Sequence, residues 1–503
     1  MTEGQPTRDE LATGSAAPAA LGRRRFLSQA AGGFGMLALA DLLSRDGFTS
    51  RAHAADASAP PRPLAARPPH FAPRARRVIH LFCPGGMSHV DTFDYKPELE
   101  RRAGKPFDPT GNLQFFASKP GNCQPSYWKF RQRGQSGLWV SDLMPKLAQC
   151  VDDMAFIYSM KSKSALHGPA CFMMNTGFIF PGFPSMGAWA TYGLGSESAN
   201  LPAFVVLPDP RGLPPGGPLN WGAGFLPAVH QGTALTTDAK RDPVADLFPA
   251  EGFNTGSRQD EAEARAFLQR MNRQHAAQRE GDTELEARIA AYELAAKMQL
   301  SVPEVTDLAG ESDATKQLYQ LDHADLGPFG RQCLLARRLV ERGVRFVQVF
   351  CGAENTTAKK IRPNWDSHED LPRDHGYWGP VLDSGAAALL RDLKSRGMLD
   401  DTLVLCTTEF GRQPGAQGGK GRDHNAGAYT SWLAGGGVRG GVGYGATDEL
   451  GFESVKHITY CYDLHATCLH LMGIDHTKLT FYHNGIDRRL TDVHGHVIKA
   501  LLA

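Results

Sequence analysis

The sequence predicts an α/β domain built on a mostly parallel sheet flanked by helices, with an inserted helical lobe. Short apolar runs recur at 78–83, 154–158, 204–207, 344–350, 403–406 and 431–434, most of them bounded by Gly, Pro or Asp. Continuous runs of this kind suit strands buried on both faces. Between several of them lie helical patterns, clearest at 331–342 and 380–396, where apolar residues return every three or four positions. Strand alternating with helix means a sheet that is mostly parallel. The 503 residues, with 55 glycines and 33 prolines, allow one large domain with many loops rather than a bundle or a coiled coil.

The chain start reads as an export leader. Arg23-Arg24-Arg25-Phe26-Leu27 precedes an apolar run at 30–43 and then Ala52-His53-Ala54, the three parts of a cleavable signal. Paired arginines ahead of a glycine-containing, mildly hydrophobic core favour the twin-arginine route. The run is shorter than the roughly 20 residues that a spanning helix needs, and Asp41 interrupts it. The expected organisation is a signal peptide at 1–54, a linker rich in Ala, Pro and Arg at 55–75, and the α/β domain at 76–503. Within that domain an insertion covers about 208–325, and its charged, alanine-rich stretch 259–300 reads as helix. A cap over the site and a plain surface helix both fit it. The expected location is periplasmic or secreted, with no stable membrane span after cleavage.

Lys and Arg total 54 against 53 for Asp and Glu, so no charge surplus argues for nucleic acid. The nine cysteines form no CxxC pair, and Cys83, Cys351 and Cys406 fall inside or beside apolar runs as small core residues do.

Chemistry is expected at the carboxyl ends of the strands, where open α/β sheets gather functional residues. The first run leads into Pro84-Gly85-Gly86-Met87-Ser88-His89-Val90-Asp91. Asp91 there is a candidate metal ligand, although taken alone it also reads as a helix cap or turn residue. The glycine pair lacks a full GxGxxG pattern, which gives a dinucleotide fold little support. Beyond the run at 344–350 comes Asp366-Ser367-His368, whose carboxylate and imidazole, two apart on a loop, can turn toward one cation. The run at 403–406 leads to Glu409-Phe410-Gly411-Arg412 and then to Arg422-Asp423-His424. Singly, Glu409 fits an ion pair with Arg412, and His424 fits a satisfied loop histidine. Together, Asp91, Asp366, His368, Glu409 and His424 form a candidate metal set.

Thr407-Thr408-Glu409-Phe410-Gly411-Arg412 resembles the strand-Thr-Ser-Asp-His-Gly element of the alkaline phosphatase and sulfatase superfamily, with Glu409 on the metal-binding aspartate and Phe410 on the histidine. The resemblance implies an alkaline-phosphatase-like fold. It matches His424 to the next superfamily histidine, Asp91 to the first metal aspartate, and Asp366 with His368 to a shortened Asp-x-x-x-His pair. From about Arg76 to Ala503 the chain resembles more closely the secreted, sulfatase-like domain of unknown function 1501 family. Segments that carry this likeness are Ser88-His89-Val90-Asp91-Thr92-Phe93-Asp94, the stretch 333–343, Glu409-Phe410-Gly411-Arg412 and Asp463-Leu464-His465-Ala466-Thr467.

In the register of the superfamily nucleophile stands His167-Gly168-Pro169-Ala170-Cys171. The modifiable cysteine and the arginine of a formylglycine sulfatase are both missing, while Ser164 and His167 remain. The resemblance therefore implies a metal-dependent hydrolase of phosphate or sulfate esters that acts outside the cytoplasm. His167, Ser164 and Arg412 are its candidate catalytic residues, and His167 reads as ligand or general base ahead of nucleophile. Arg412 or Arg422 would balance developing charge. One or two divalent ions, Zn, Mn or Ca, are expected, with Ca less favoured by histidine ligands. The expected partner is a small-molecule or glycan ester, and no protein partner is legible. The rival reading is a non-catalytic metal- or ligand-binding protein on the same scaffold.

Overall fold

Eight strands form the central sheet of the computed structural model, which describes residues 64–108, 113, 116, 118–237, 243–244, 258–279, 283–354 and 361–503. In chain order they are β1 Arg77–Phe82, β2 Met154–Met160, β3 Phe204–Leu207, β4 Thr233–Ala234, β5 Phe346–Phe350, β6 Thr402–Thr407, β7 Tyr429–Ala434 and β8 Val442–Tyr444. Across the sheet the order is β8-β2-β7-β6-β1-β5-β3-β4. Only β7 runs against its neighbours; every other pairing is parallel. All six apolar runs read from the sequence coincide with strands to within two residues. The edge strands β4 and β8, two and three residues long, are too short to leave a pattern.

Both faces of the sheet are buried, as continuous apolar runs require. In β1, Ile79 and Leu81 join one core, while Val78 and Phe82 join the other. Each such side chain contributes about 1.5–3 kcal/mol by leaving water, so a one-residue slip would exchange the two cores and misplace every strand end. Helices α6 Gly327–Glu341 and α7 Leu371–Ser395 cover the first face. The second is covered by α2 His167–Thr176, α3 Met186–Leu194 and α8 Cys461–Leu471. A further one-turn helix, α1 His89–Thr92, follows β1.

The stretch 259–300 falls in two helices, α4 Arg258–Ala277 and α5 Thr283–Thr306. Val302, Val305 and Leu308 at the end of this lobe enter the first core. Arg338 fastens it, donating to Val305 O at 2.8 Å and pairing with Glu311 at 2.6 Å. Arg338 lies near the end of α6, just before the chain enters β5, so these contacts sit at the amino ends of the strands. The carboxyl ends, where a cap would lie, are at the opposite edge.

The leader at 1–54 lies outside the described residues, as does the linker up to 63. From Leu64 onward the linker is laid on the domain: Arg67 N donates to Leu194 O, and Arg74 N and Ala75 N both donate to Leu471 O. No helix among the described residues is long and apolar enough to cross a membrane.

Candidate metal centre

The parallel strands deliver their carboxyl ends to one edge, and four connections meet there. The chain after β2 enters α2 with His167 as its first residue. Past β5 the loop carrying Asp366 and His368 stops at α7, which begins because Asp370 caps it by accepting Arg373 N–H and Pro372 sits in its first turn. Glu409 comes two residues past β6. His424 pairs in register with Arg412 across a two-residue antiparallel ladder, which sets imidazole beside guanidinium.

Around one oxygen of Asp366 three imidazoles converge. His368 Nε2 lies 2.8 Å from Asp366 Oδ1, His424 Nε2 3.1 Å and His167 Nε2 3.2 Å, and His368 Nε2 is 2.9 Å from His424 Nε2. In each ring the other nitrogen is held by an acceptor. His424 Nδ1 donates to Ala165 O at 2.7 Å, His368 Nδ1 to Gln417 Oε1 at 2.6 Å and His167 Nδ1 to Glu409 Oε1 at 2.6 Å. Nδ1–H bonds of this kind fix the tautomer and leave the Nε2 lone pair free. Lone pairs thus face one another and a carboxylate oxygen that Arg412 Nη2 also reaches at 2.6 Å; that one donor leaves three imidazole lone pairs that a cation would balance. His167 Nε2, although close to Asp366, makes no hydrogen bond.

The charges follow from burial and neighbours. Burial opposes ionisation of Asp366, but Arg412 and the three imidazoles outweigh it and hold the carboxyl far below the usual range. Burial pulls His424 down to about 4 despite Asp366, so its ring is neutral near pH 7. For His167 burial again lowers the pKa, yet Asp366 and Glu409 prevail and raise it to about 9.

Glycine makes the close approaches possible. Gly85, at φ +108°, passes so near the loop that a β-carbon would lie 2.6 Å from Trp365 N and 2.7 Å from Asp366 N. A β-carbon on Gly421 would overlap the carbonyl of His368. The Gly85-Gly86 pair therefore seats ligands rather than cradling a phosphate: Gly85 N–H donates to Glu409 Oε1 at 2.8 Å, and both carbonyls accept from Arg412. Phe410 packs its ring 4.8 Å from His167 and 4.6 Å from His424, and Phe116 stacks on the latter at 5.0 Å.

Of the residues singled out from sequence, Asp366, His368, His424 and His167 meet, with Glu409 directly behind His167. Asp91 does not join them. Its carboxylate is buried in an ion pair with Arg422 at 2.8 Å and also accepts the Ser88 hydroxyl. Arg412 and Arg422 are not open to a substrate: both are fully buried, with donors committed to backbone carbonyls and to Asp366 or Asp91. Ser164 is turned into a local bend, its oxygen accepting Leu166 N–H at 3.1 Å, and it has no contact with the cluster. Sequence reasoning missed Gln417 and the Ala165 carbonyl, which hold two of the rings and carry no local signal. Two overlapping donor groups emerge among the described residues, His167 with Asp366 and His424, and His368 with Asp423 and His424.

Residues 75–502 match a family model described as a protein of unknown function, DUF1501. No curated protein matches the chain in sequence. Among solved structures, the PsFucS1 sulfatase from Pseudoalteromonas sp. is similar at 13% identity, over 86% of this chain and 72% of that one, with a TM-score of 0.35. The lipoteichoic acid synthase LtaP from Listeria monocytogenes is similar at 10% identity, over 86% and 78%, with a TM-score of 0.35. A phosphonate monoester hydrolase from Silicibacter pomeroyi is similar at 12% identity, over 66% and 68%, with a TM-score of 0.31. Likeness this distant assigns no activity to the chain.

Proposed function

The chain belongs to the DUF1501 family, and from that premise we propose that this member is a metal-dependent hydrolase of phosphate or sulfate esters acting outside the cytoplasm. The observation that carries the reading is the convergence of three Nε2 atoms and Asp366 Oδ1, each ring held from behind by its Nδ1–H. That donor set fits a borderline ion such as Zn or Mn better than Ca, which prefers oxygen. Arg412 favours one ion rather than two, because its guanidinium already supplies one positive charge at the same Asp366 oxygen, 2.6 Å away. Such an ion supplies Lewis-acid polarisation of an ester oxygen and makes water more acidic.

The chain's own residues do the rest. His167, His368, His424 and Asp366 bind, Glu409 orients His167, and Arg412 fixes Asp366. Phe410 and Phe116 shield the rings from water. With Nδ1 of His167 held by Glu409 and Nε2 aimed at Asp366, the ligand role is favoured over the nucleophile role.

The test is metal analysis of the purified protein together with a screen of aryl phosphate and aryl sulfate esters before and after chelation. About one transition-metal equivalent per chain and chelator-sensitive turnover are expected. Metal without turnover of any ester would favour the binding-protein reading instead. The extracytoplasmic location rests on the leader. Replacing Arg23 and Arg24 by lysine is expected to leave the precursor inside the cell, as read by fractionation, and normal export would refute it.

A further inference from the structure

Beside the metal centre lies an open cleft of about 550 Å³, walled by 118–127 on one side and 416–419 on the other. It shares two residues with the centre. Gln417, which holds His368, lines it, and so does Ser118, whose hydroxyl donates to Asp423 at 2.8 Å. The cleft also contains an anomaly. Gln124 is only 8% exposed, yet neither its Oε1 nor its Nε2 has a hydrogen-bond partner. An amide buried with both ends unsatisfied costs about 1–3 kcal/mol per unmet group, and native proteins keep few of them. Turning the Gln124 side chain toward a ligand breaks no hydrogen bond of its amide group, which makes none.

We propose that this cleft is a carbohydrate subsite that holds one ring of an anionic oligosaccharide while a neighbouring ring presents its ester to the metal centre. The proposal rests on the hydrolase reading above for its link to catalysis and on the cleft alone for binding. Its chemistry comes from the lining. An amide offers a donor and an acceptor side by side, which matches two adjacent hydroxyls of a sugar. Tyr127 is 42% exposed in the wall and supplies a rigid aromatic surface at small entropy cost. Lys119 and Asn122 are exposed along the same wall, and among the described residues no carboxylate lines the cleft, so a sulfate, phosphate or uronate meets a cation there. An apolar lipid chain would find few partners here.

Binding is measured calorimetrically on the full chain, both as purified and after chelation. The probes are a sulfated hexasaccharide of chondroitin, maltohexaose and a neutral polar hexapeptide, with metal content measured on the same samples. The sulfated hexasaccharide is expected to bind most tightly and to bind the chelated chain as well, since no cleft residue is a metal ligand. Gln124→Leu and Tyr127→Ala are each expected to weaken it about tenfold, the loss of one neutral hydrogen bond or one aromatic contact, with metal content and circular dichroism unchanged. No saccharide binding, tighter binding of the peptide, or unchanged affinity in both variants would overturn the proposal. Saccharide binding by a chain that holds no metal as purified and takes none up when metal is added would sink the hydrolase reading and leave the subsite standing.

Discussion

Buried and half-buried histidines occur in two settings in this molecule, and residue type does not tell them apart. His80, His230 and His465 lie in the core on the side of α2, α3 and α8, and each bonds to a neutral group: Thr407 Oγ1 at 2.8 Å, Thr191 Oγ1 at 3.4 Å and Met174 O at 2.7 Å. Burial holds them at about 3, about 3 and about 4, so all are neutral. His167, His368 and His424 are likewise bonded through one nitrogen, but their second nitrogens converge on Asp366 and on one another. The first setting is a solved packing problem. The second leaves acceptors facing acceptors, and that residual demand for positive charge is what marks a site.

The sharpest way to break the comparison is to remove the carboxylate at the convergence point. Asp366→Asn is expected to lower metal affinity by about a hundredfold or more, since one ligand and the negative charge go together. It also strands the buried Arg412, at a cost of about 3–5 kcal/mol. Mass-spectrometric metal content and a urea midpoint would read the two effects. A fully loaded, equally stable variant would show that the convergence is accidental.

A smaller effect is expected behind the ligands. Glu409→Gln keeps the shape but weakens the acceptor for His167 Nδ1–H, and outer partners of this kind typically contribute about 10- to 100-fold in metal affinity. A competition titration with a fluorescent chelator would measure it. His80→Gln, by contrast, should leave metal affinity unchanged.

How much of this was legible beforehand follows from the same contrast. Strands announce themselves through runs of apolar residues because both sheet faces are buried, so β1, β2, β3, β5, β6 and β7 were all readable. Asp366, Glu409 and His424 stood out because each follows a strand end. The union of His167 with Glu409, 242 residues apart, was legible only as a family register, since spacing says nothing about which loops touch. Asp91 shows the converse. It has a strand-end address, but its partner Arg422 lies 331 residues away, and that pairing keeps it out of the cluster. Gln417 lies in a glycine-rich loop where nothing local distinguishes a ring anchor from a solvated amide.

The core rings also shape the response to acid. An unfolded histidine titrates near 6.5, whereas His80, His230 and His465 stay neutral when folded down to about 3, 3 and 4. As pH falls below about 6.5 the unfolded state gains protons that the folded state refuses, so stability is present above that value and declines below it. Each ring adds up to about 1.4 kcal/mol per pH unit to the slope. Urea midpoints at pH 6.5 and 5 should therefore drop steeply in the parent chain. His465→Gln, which can still donate to Met174 O, should be shallower by about one such increment, and an unchanged slope would contradict its neutral burial.

The smallest expected effect concerns Ser164, and it bears most directly on mechanism. By the resemblance noted from the sequence, Ser164 and His167 are the two candidates for the nucleophile position, and a serine hydrolase would need the hydroxyl aimed at the cluster. Here Ser164 Oγ accepts Leu166 N–H within its own bend, while His167 enters α2 with one nitrogen on Glu409 and the other toward Asp366. Ser164→Ala removes only that bond and a long one to Leu166 O at 3.5 Å, and is expected to cost about 1 kcal/mol of stability or less. Bound metal and turnover should stay within about twofold of the parent. His167→Ala, measured beside it on whichever ester proves active, removes a ligand and should lower metal content and turnover together, with partial recovery at high added metal. The opposite pattern, in which Ser164→Ala abolishes turnover and His167→Ala keeps it, would return the ordinary serine mechanism and reduce the histidine cluster to a structural role.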